Sequence, residues 1–486
     1  MKNGILRDSA IFSFSRYVLI GLSFVRNFFV ARILDPESYG YWVIAMLILT
    51  YGDQIHLGLR HAGDREIPFA RGQGRPEEAK KTASTVYAGI LWLSIASLAA
   101  LGIFVLIGGN EGGTVEHLML FAGLIVVLDQ VNRYYLMIMR ATTLFVLSSK
   151  IEIITETFRT LLVCILVYYF SLWGAISGFL AAAAFMTLYV LFHFRNEFVP
   201  RMDLRRLKEL LMLGFSLFGV GLLYILLINA DRLFAATMLT KEQLGIYGIA
   251  ALAVQLPLSF TQGISAVVYP SFSETFGRSN AVMALYPMYT SVLRSLAFAT
   301  PFVAVTIYFA ATILIGLFLP AYRESLVILI VLLPGVFFLS FVPFLSGVFT
   351  AVNRARQFLL LELFACVCAA ALFFLVQEFS AGPKGIAIAM SAGMMMYAAT
   401  AIVAAFRLFS IKSSEVIKQI AGTFYPSAYC MIVMGILVST IGREPGAVSA
   451  LIAYGMFLVA CIPLVFMARR VLDLRRISSM LRAPHG

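Results

Sequence analysis

Long uninterrupted apolar runs, separated by short polar stretches, repeat along this chain from end to end. Windows long enough to cross a bilayer, which takes roughly 20 apolar residues, lie at 10–33, 39–61, 82–107, 115–139, 144–170, 172–194, 209–238, 243–269, 287–318, 324–351, 356–377, 385–407, 418–441 and 446–468. Membrane barrels are built instead from alternating segments of about ten residues, so the runs read as helices. The pattern predicts an all-α polytopic membrane protein with about fourteen transmembrane helices. The longest polar stretches, near 61–81 and 195–209, leave no room for a soluble domain.

Two of the predicted hairpins resemble each other. Residues 31–45 read ARILDPESYGYWVIA and residues 236–250 read ATMLTKEQLGIYGIA. At an offset of 205, six of fifteen positions are identical: Ala31/Ala236, Leu34/Leu239, Glu37/Glu242, Gly40/Gly245, Ile44/Ile249 and Ala45/Ala250. Each copy follows the first helix of a six-helix unit. Six is even, so both units keep one orientation, and their pseudo-twofold axis is expected along the membrane normal. Parallel repeats of this kind place a substrate site between two halves that rock against each other. The expected organisation is an N-terminal lobe over 1–200 with six spans and a C-terminal lobe over 201–410 with six more. An accessory helix pair and a basic tail fill 411–486.

Composition agrees with the pattern and narrows the partners. Of 486 residues, 61% are hydrophobic and 13% charged, about half the charge of a soluble domain, so most side-chain surface never meets water. The net charge of +12 invites a nucleic-acid partner, but the basic residues sit in short loops and at the C-terminus. With the N-terminus inside, the inner segments hold 24 Lys and Arg, whereas the outer loops hold five: Arg32, Lys241, Arg323, Lys384 and Arg443. This is the positive-inside asymmetry, and it puts both termini in the cytoplasm. The five cysteines (Cys164, Cys366, Cys368, Cys430, Cys461) all lie in apolar runs without zinc or disulfide spacing, so neither a metal nor a disulfide framework is expected. The first run contains Arg16 and Arg26 and lacks a clear cleavage site, and reads as an uncleaved span.

Ionisable groups deep in a span cost about 2.5–3.5 kcal/mol each on insertion scales, and by default they pair or line a cavity. In the first span Ser9, Ser13, Arg16, Ser23 and Asn27 fall within one sector at 100° per residue, with Arg26 a little further round. Asp53, His56 and Arg60 share a face of the second span, Asp129 and Arg133 of the fourth, and Glu152, Glu156 and Arg159 of the fifth. The later spans offer Asp231, Arg232, Arg294 and Glu362. Bland readings stand beside these. Arg60 and Arg232 lie near span ends and could reach headgroups, and Asp129/Arg133 and Glu156/Arg159 could satisfy each other along one helix. Arg16, Arg26 and Arg294 have no acidic neighbour three or four residues away, so no pair along their own helix accounts for them. The expectation is a water-filled, net cationic cavity opening inward. Arginine stays protonated and offers paired donors to phosphate oxygens, which suits a pyrophosphate headgroup and not a hydrophobic cation. The offset of 205 sets Asp231 opposite Arg26, a candidate gate.

The opening of the chain resembles Wzx-type polysaccharide flippases: an Arg- and Ser-containing first helix, then ARILDPESYGYW, then DQIHLGLRHAGDREI. So does NADRLFAATMLTKEQLGIYGIA, running on to VVYPSFSE. That family belongs to the multidrug/oligosaccharidyl-lipid/polysaccharide (MOP) exporter superfamily. The resemblance implies translocation of an undecaprenyl-diphosphate-linked oligosaccharide across the bacterial cytoplasmic (inner) membrane by alternating access. Carried over, the first-helix arginines are Arg16 and Arg26 and the seventh-helix acid is Asp231; Arg60 and Arg294 follow more loosely as headgroup contacts. Asp53, Asp129 and Glu362 are candidates for coupling to H+ or Na+, the membrane potential being another energy source, and no organic cofactor is implied. The partners implied are the lipid-linked oligosaccharide, membrane lipids and other polysaccharide-assembly proteins, with no nucleic acid. A monomer is expected, because a two-lobed transporter contains its own pathway.

Two other classes compete. A cation-coupled multidrug antiporter of the same superfamily calls for a cavity dominated by acidic and aromatic residues. A membrane-embedded polysaccharide-processing enzyme calls for a loop domain or a carboxylate or histidine site at a membrane face. No P-loop, DxD or HExxH motif is present, and Asp53-His56-Arg60 is the one enzyme-like cluster.

Overall fold

The computed structural model describes residues 2–108, 113–194, 200–379, 382–411, 413–441, 446–464 and 466. The basic tail beyond 466, Arg195, Lys412 and Arg443 lie outside the described residues, and the side chains of Ser9 and Ser13 outside the described side chains. Fifteen α-helices follow one another: α1 (Lys2–Ile33), α2 (Pro36–Gly52), α3 (Leu59–Gly72), α4 (Pro76–Gly108), α5 (Thr114–Ala141), α6 (Phe145–Phe194), α7 (Leu204–Met238), α8 (Lys241–Ser279), α9 (Tyr286–Phe318), α10 (Ser325–Leu339), α11 (Val342–Ala351), α12 (Ala355–Glu378), α13 (Gly382–Leu408), α14 (Ser413–Ile441) and α15 (Ala447–Ala460). No strand occurs among the described residues.

Among the described residues twelve segments, α10 with α11 counting as one, are long and apolar enough to cross a membrane, and the bent pair α2–α3, taken as one span, makes a thirteenth. The fifty-residue α6 supplies one more, because it leaves helical geometry at Phe170 and Ser171 (φ 51°) and folds back on itself. A side chain at Gly174 would strike the carbonyl of Leu166, and one at Gly178 the backbone of Leu162 and Val163. Residues eight and sixteen apart touch only if the two legs run antiparallel. The all-α polytopic reading therefore holds with about fourteen spans.

One span departs from the reading. The window 39–61 predicts a single helix, whereas α2 ends at Gly52, a 3-10 turn covers Asp53–His56, and α3 leaves at 44°. The cause is local: Leu57 and Gly58 both take positive φ (47° and 90°), and His56 Nδ1 accepts the N–H of Gly58 at 2.9 Å. Gly58 can adopt that angle without strain, and the backbone of Gly214 lies against it where no side chain fits.

The chain divides into two compact units: Met1–Ile225 with Thr240–Gly245, and Leu226–Leu239 with Ile246–Gly486. In the first unit α1 packs on α6, α2 on α5, and α3, α4 and α5 on one another. Their core holds Leu59, Val86, Ile90 and Met137 together with Tyr87 and Tyr134, whose rings stack at 4.5 Å. Tyr134 lies fully buried because its hydroxyl donates to the carbonyl of Ala83 at 3.0 Å. In the second unit α10 and α12 pack on α13, and the N–H of Gly335 donates to Ser391 Oγ at 2.9 Å. The last two helices pack on α9. Ser427 donates to the carbonyl of Ala297 at 2.7 Å, and the buried thiols of Cys430 and Cys461 lie 3.8 Å apart between α14 and α15.

Within each copy of the repeat the same local devices recur. Asp35 Oδ2 accepts the N–H of Ser38, and 205 residues later Thr240 Oγ1 accepts the N–H of Gln243 at 3.2 Å. Trp42 donates to Asn27 Oδ1 at 3.0 Å, and Tyr247, its counterpart, donates to Asp231 at 2.9 Å. The two shared glycines are reciprocal as well. A Cβ at Gly40 would overlap the carbonyl of Lys241, and one at Gly245 the carbonyl of Pro36; Lys241 is itself the counterpart of Pro36. These glycines are retained in both copies because backbone meets backbone there.

Candidate functional site

Three helices of the first unit carry charged faces that converge. On α5, Asp129, Arg133 and Arg140 stand at spacings of four and seven, and on the first leg of α6, Glu152, Glu156 and Arg159 at four and three, so each set shares a face. Helix α1, packed along α6, brings Arg16, and the break between α2 and α3 turns Arg60 inward. Together Arg16, Arg60, Arg133, Arg140 and Arg159 with Asp129, Glu152 and Glu156, joined by Asn132 and Thr155, line a cavity of about 320 Å³. Five arginines face three carboxylates, and the cavity is net cationic.

The arginines fall into two groups by exposure. Arg159 donates to Asp129 at 2.7 Å and contacts Glu156 at 3.4 Å. Arg26 donates to the other oxygen of Glu156, and both guanidiniums lie over the ring of Phe179, at 4.3 Å for Arg159 and 5.2 Å for Arg26. Arg60 contacts the Asp53 carboxylate at 2.9 Å and its carbonyl at 3.0 Å. Gln130 donates to that same carbonyl at 2.9 Å, so the backbone freed by the helix break is satisfied. These three arginines are only 6–12% exposed, and of them Arg60 and Arg159 line the cavity. Arg16 and Arg133 are 49% and 48% exposed. Arg133 Nε lies 3.0 Å from Asp53 Oδ1. Arg16 lies 3.8 Å from Glu152, which Arg140 contacts at 3.4 Å. Half-exposed guanidiniums lining a polar cavity are the groups able to take up an external anion.

The sequence candidates are thus distributed. Arg16 and Arg60 line the cavity together with Asp129, and Asp53 holds Arg60 and Arg133 from behind. Arg26 does not line it; it is buried and bound to Glu156, a partner one helix away that spacing along α1 could not reveal. Arg294 is exposed on α9 in the second unit, with Nη2 3.4 Å from Gln419 Oε1. Asp231, also in the second unit, is buried and accepts from Tyr247 and from the N–H of Arg232 at 2.8 Å. Glu362 is buried beside Tyr397, which donates to it at 3.1 Å, while its second oxygen has no hydrogen-bond partner. The candidates that the sequence offers do not include Arg133, Arg140, Arg159, Glu152 and Glu156, which the structure adds. Their signal was present as charged faces of α5 and α6, but the pairs Asp129/Arg133 and Glu156/Arg159 looked self-sufficient along each helix. In the structure Arg133 turns to Asp53, and Asp129 to Arg159. Among the described residues no three His, Cys, Asp or Glu side chains gather as a metal site.

Comparison with known proteins places this geometry in context. A family model described as polysaccharide biosynthesis protein matches residues 29–325. No curated protein matches the sequence. Among solved structures, the lipid II flippase MurJ in an inward closed conformation is similar over 96% of this chain and 99% of its own, with a TM-score of 0.73 at 15% identity. An inward-facing multidrug resistance MATE family transporter of the MOP superfamily is similar over 82% and 95%, with a TM-score of 0.62 at 16% identity. The Vibrio cholerae MATE transporter VcmN is similar over 84% and 97%, with a TM-score of 0.54 at 16% identity. At these identities the likeness is one of fold.

Proposed function

Because the chain belongs to the polysaccharide biosynthesis protein family, we propose that it is a flippase that moves a lipid-linked oligosaccharide across the bacterial inner membrane, holding its diphosphate at the arginine cavity of the first unit. The observation that carries this reading is the pair of half-exposed arginines, Arg16 and Arg133, in a polar cavity within an otherwise apolar bundle. Arginines kept inside a membrane protein are costly, and an anion that needs paired donors offsets that cost. A diphosphate is such an anion. The polyprenyl chain stays in lipid while the headgroup crosses, so the protein need enclose only the polar part. The solved flippase among the similar structures acts, by its name, on a lipid-linked precursor, which supports the same substrate class here. The MATE transporters share the fold, so an antiporter of cationic drugs is the second reading; the net positive cavity weighs against it, because it repels a cation. The proposed orientation has both termini in the cytoplasm.

Reconstitution decides between them. Wild-type protein in liposomes is expected to transfer a fluorescent undecaprenyl-diphosphate-linked oligosaccharide between leaflets, above protein-free liposomes. Energised efflux of a cationic dye with no lipid transfer would replace this reading with the antiporter.

A further inference from the structure

Glu152 is the least firmly held of the three cavity carboxylates. Asp129 is gripped by Arg159 at 2.7 Å, and Glu156 is bound by Arg26. Glu152 instead stretches one oxygen between two arginines from different helices, Arg16 of α1 at 3.8 Å and Arg140 of α5 at 3.4 Å. Charge-assisted hydrogen bonds settle near 2.7–2.9 Å, so neither contact is fully formed. The other oxygen, Oε2, is buried and has no hydrogen-bond partner at all, although the carboxylate as a whole is only 12% exposed. A carboxylate that bridges two guanidiniums weakly, and leaves half its own acceptors unmet, resembles a ligand more than a strut.

We propose that Glu152 is a resident stand-in for the anionic headgroup: it holds the Arg16–Arg140 subsite until a substrate phosphate displaces it, and it returns to that subsite to expel the product. The proposal rests on the headgroup reading above and adds a residue that sets how strongly an anion must bind. Two consequences follow. Ordinary cellular anions have to compete with a tethered carboxylate whose local concentration is high, so the arginines are not saturated by inorganic phosphate. Release is also helped, because the carboxylate refills the subsite.

The arithmetic of displacement makes this separable from simple charge repulsion. When a ligand binds only the displaced state, its apparent affinity is reduced by the fraction of molecules in that state. That factor is the same for every anion using the subsite. Repulsion from a carboxylate that stays in place instead grows with the charge of the ligand.

The test uses the detergent-solubilised full chain with farnesyl diphosphate and farnesyl monophosphate as probes. Binding is followed by calorimetry, in the wild type and in Glu152→Gln and Glu152→Asp, each checked for unaltered thermal unfolding. Aspartate keeps the charge but is one methylene too short to bridge both arginines. Both variants are expected to bind farnesyl diphosphate roughly three- to tenfold more tightly, and farnesyl monophosphate to gain by the same factor. Tightening in Glu152→Gln alone, or a gain larger for the diphosphate than for the monophosphate, means charge removal at a distance and overturns the proposal. Saturable binding that weakens in Arg133→Ala but is unchanged in both Glu152 variants also overturns it, while leaving the headgroup reading in place. If no protein binds either probe, the headgroup reading and the stand-in fall together.

Discussion

Arg159 shows how charge is accommodated in this membrane protein. Its guanidinium closes on Asp129 from a neighbouring helix, touches Glu156 on its own, and lies over Phe179. Removing one partner of a buried ion pair strands the other and costs about 3–5 kcal/mol. Arg159→Met is therefore expected to lower thermal stability strongly in detergent, and adding Asp129→Asn should recover part of the loss; a single variant as stable as wild type would contradict this pairing. The sequence identified the charged positions themselves, since each interrupts an apolar run. It could not assign their partners. Which carboxylate Arg26 or Arg16 meets depends on the rotation of α1 against α6, and that rotation is set by packing along the whole interface and not by any local spacing.

At the scale of elements, most boundaries follow from chemistry visible in the chain. Helix α2 starts where Asp35 caps it and Pro36 fills the first helical position. Hydrogen bonds from Ser38, its hydroxyl first and then its backbone N–H, hold the Asp35 carboxyl below the usual carboxylate range. A carboxyl depressed in the folded state contributes its stability in full above the unfolded value near 3.9, and loses it as the pH falls through the lower folded value. Asp35→Ala is thus expected to cost about 1 kcal/mol at neutral pH, and the gap to wild type in thermal unfolding should close as the pH is lowered toward about 3. A gap that persists in acid would mean the cap works through packing and not through charge. The break between α2 and α3 was hidden for a different reason. Asp53, His56 and Arg60 fit one helical face, so periodicity reads through them, and only Gly58 hints that the chain turns. The turn is stabilised locally by His56 and also by Gln130, a contact that exists only once α5 is in place. The two legs of α6, by contrast, were legible as separate spans because a fifty-residue helix far exceeds a bilayer.

Across the molecule, span number and helical class were readable because a bilayer tolerates few other solutions, and the repeat was readable from two short hairpins. The location of the cavity was only partly so: the first six spans hold most of the intramembrane charge, yet the lining comes from α1, α3, α5 and α6 at once. In the proposed function the half-exposed arginines of that cavity, Arg16 and Arg133, carry the headgroup during transfer. The most direct measurement is the rate at which proteoliposomes move an undecaprenyl-diphosphate-linked oligosaccharide between leaflets, compared among wild type, Arg16→Ala and Arg133→Ala at equal reconstitution. The loss of one charge-assisted phosphate contact, about 1.5–3 kcal/mol, predicts that each variant slows transfer at least roughly tenfold while unfolding at the wild-type temperature. Transfer at the wild-type rate in both variants would contradict the account and return the cavity to a structural role.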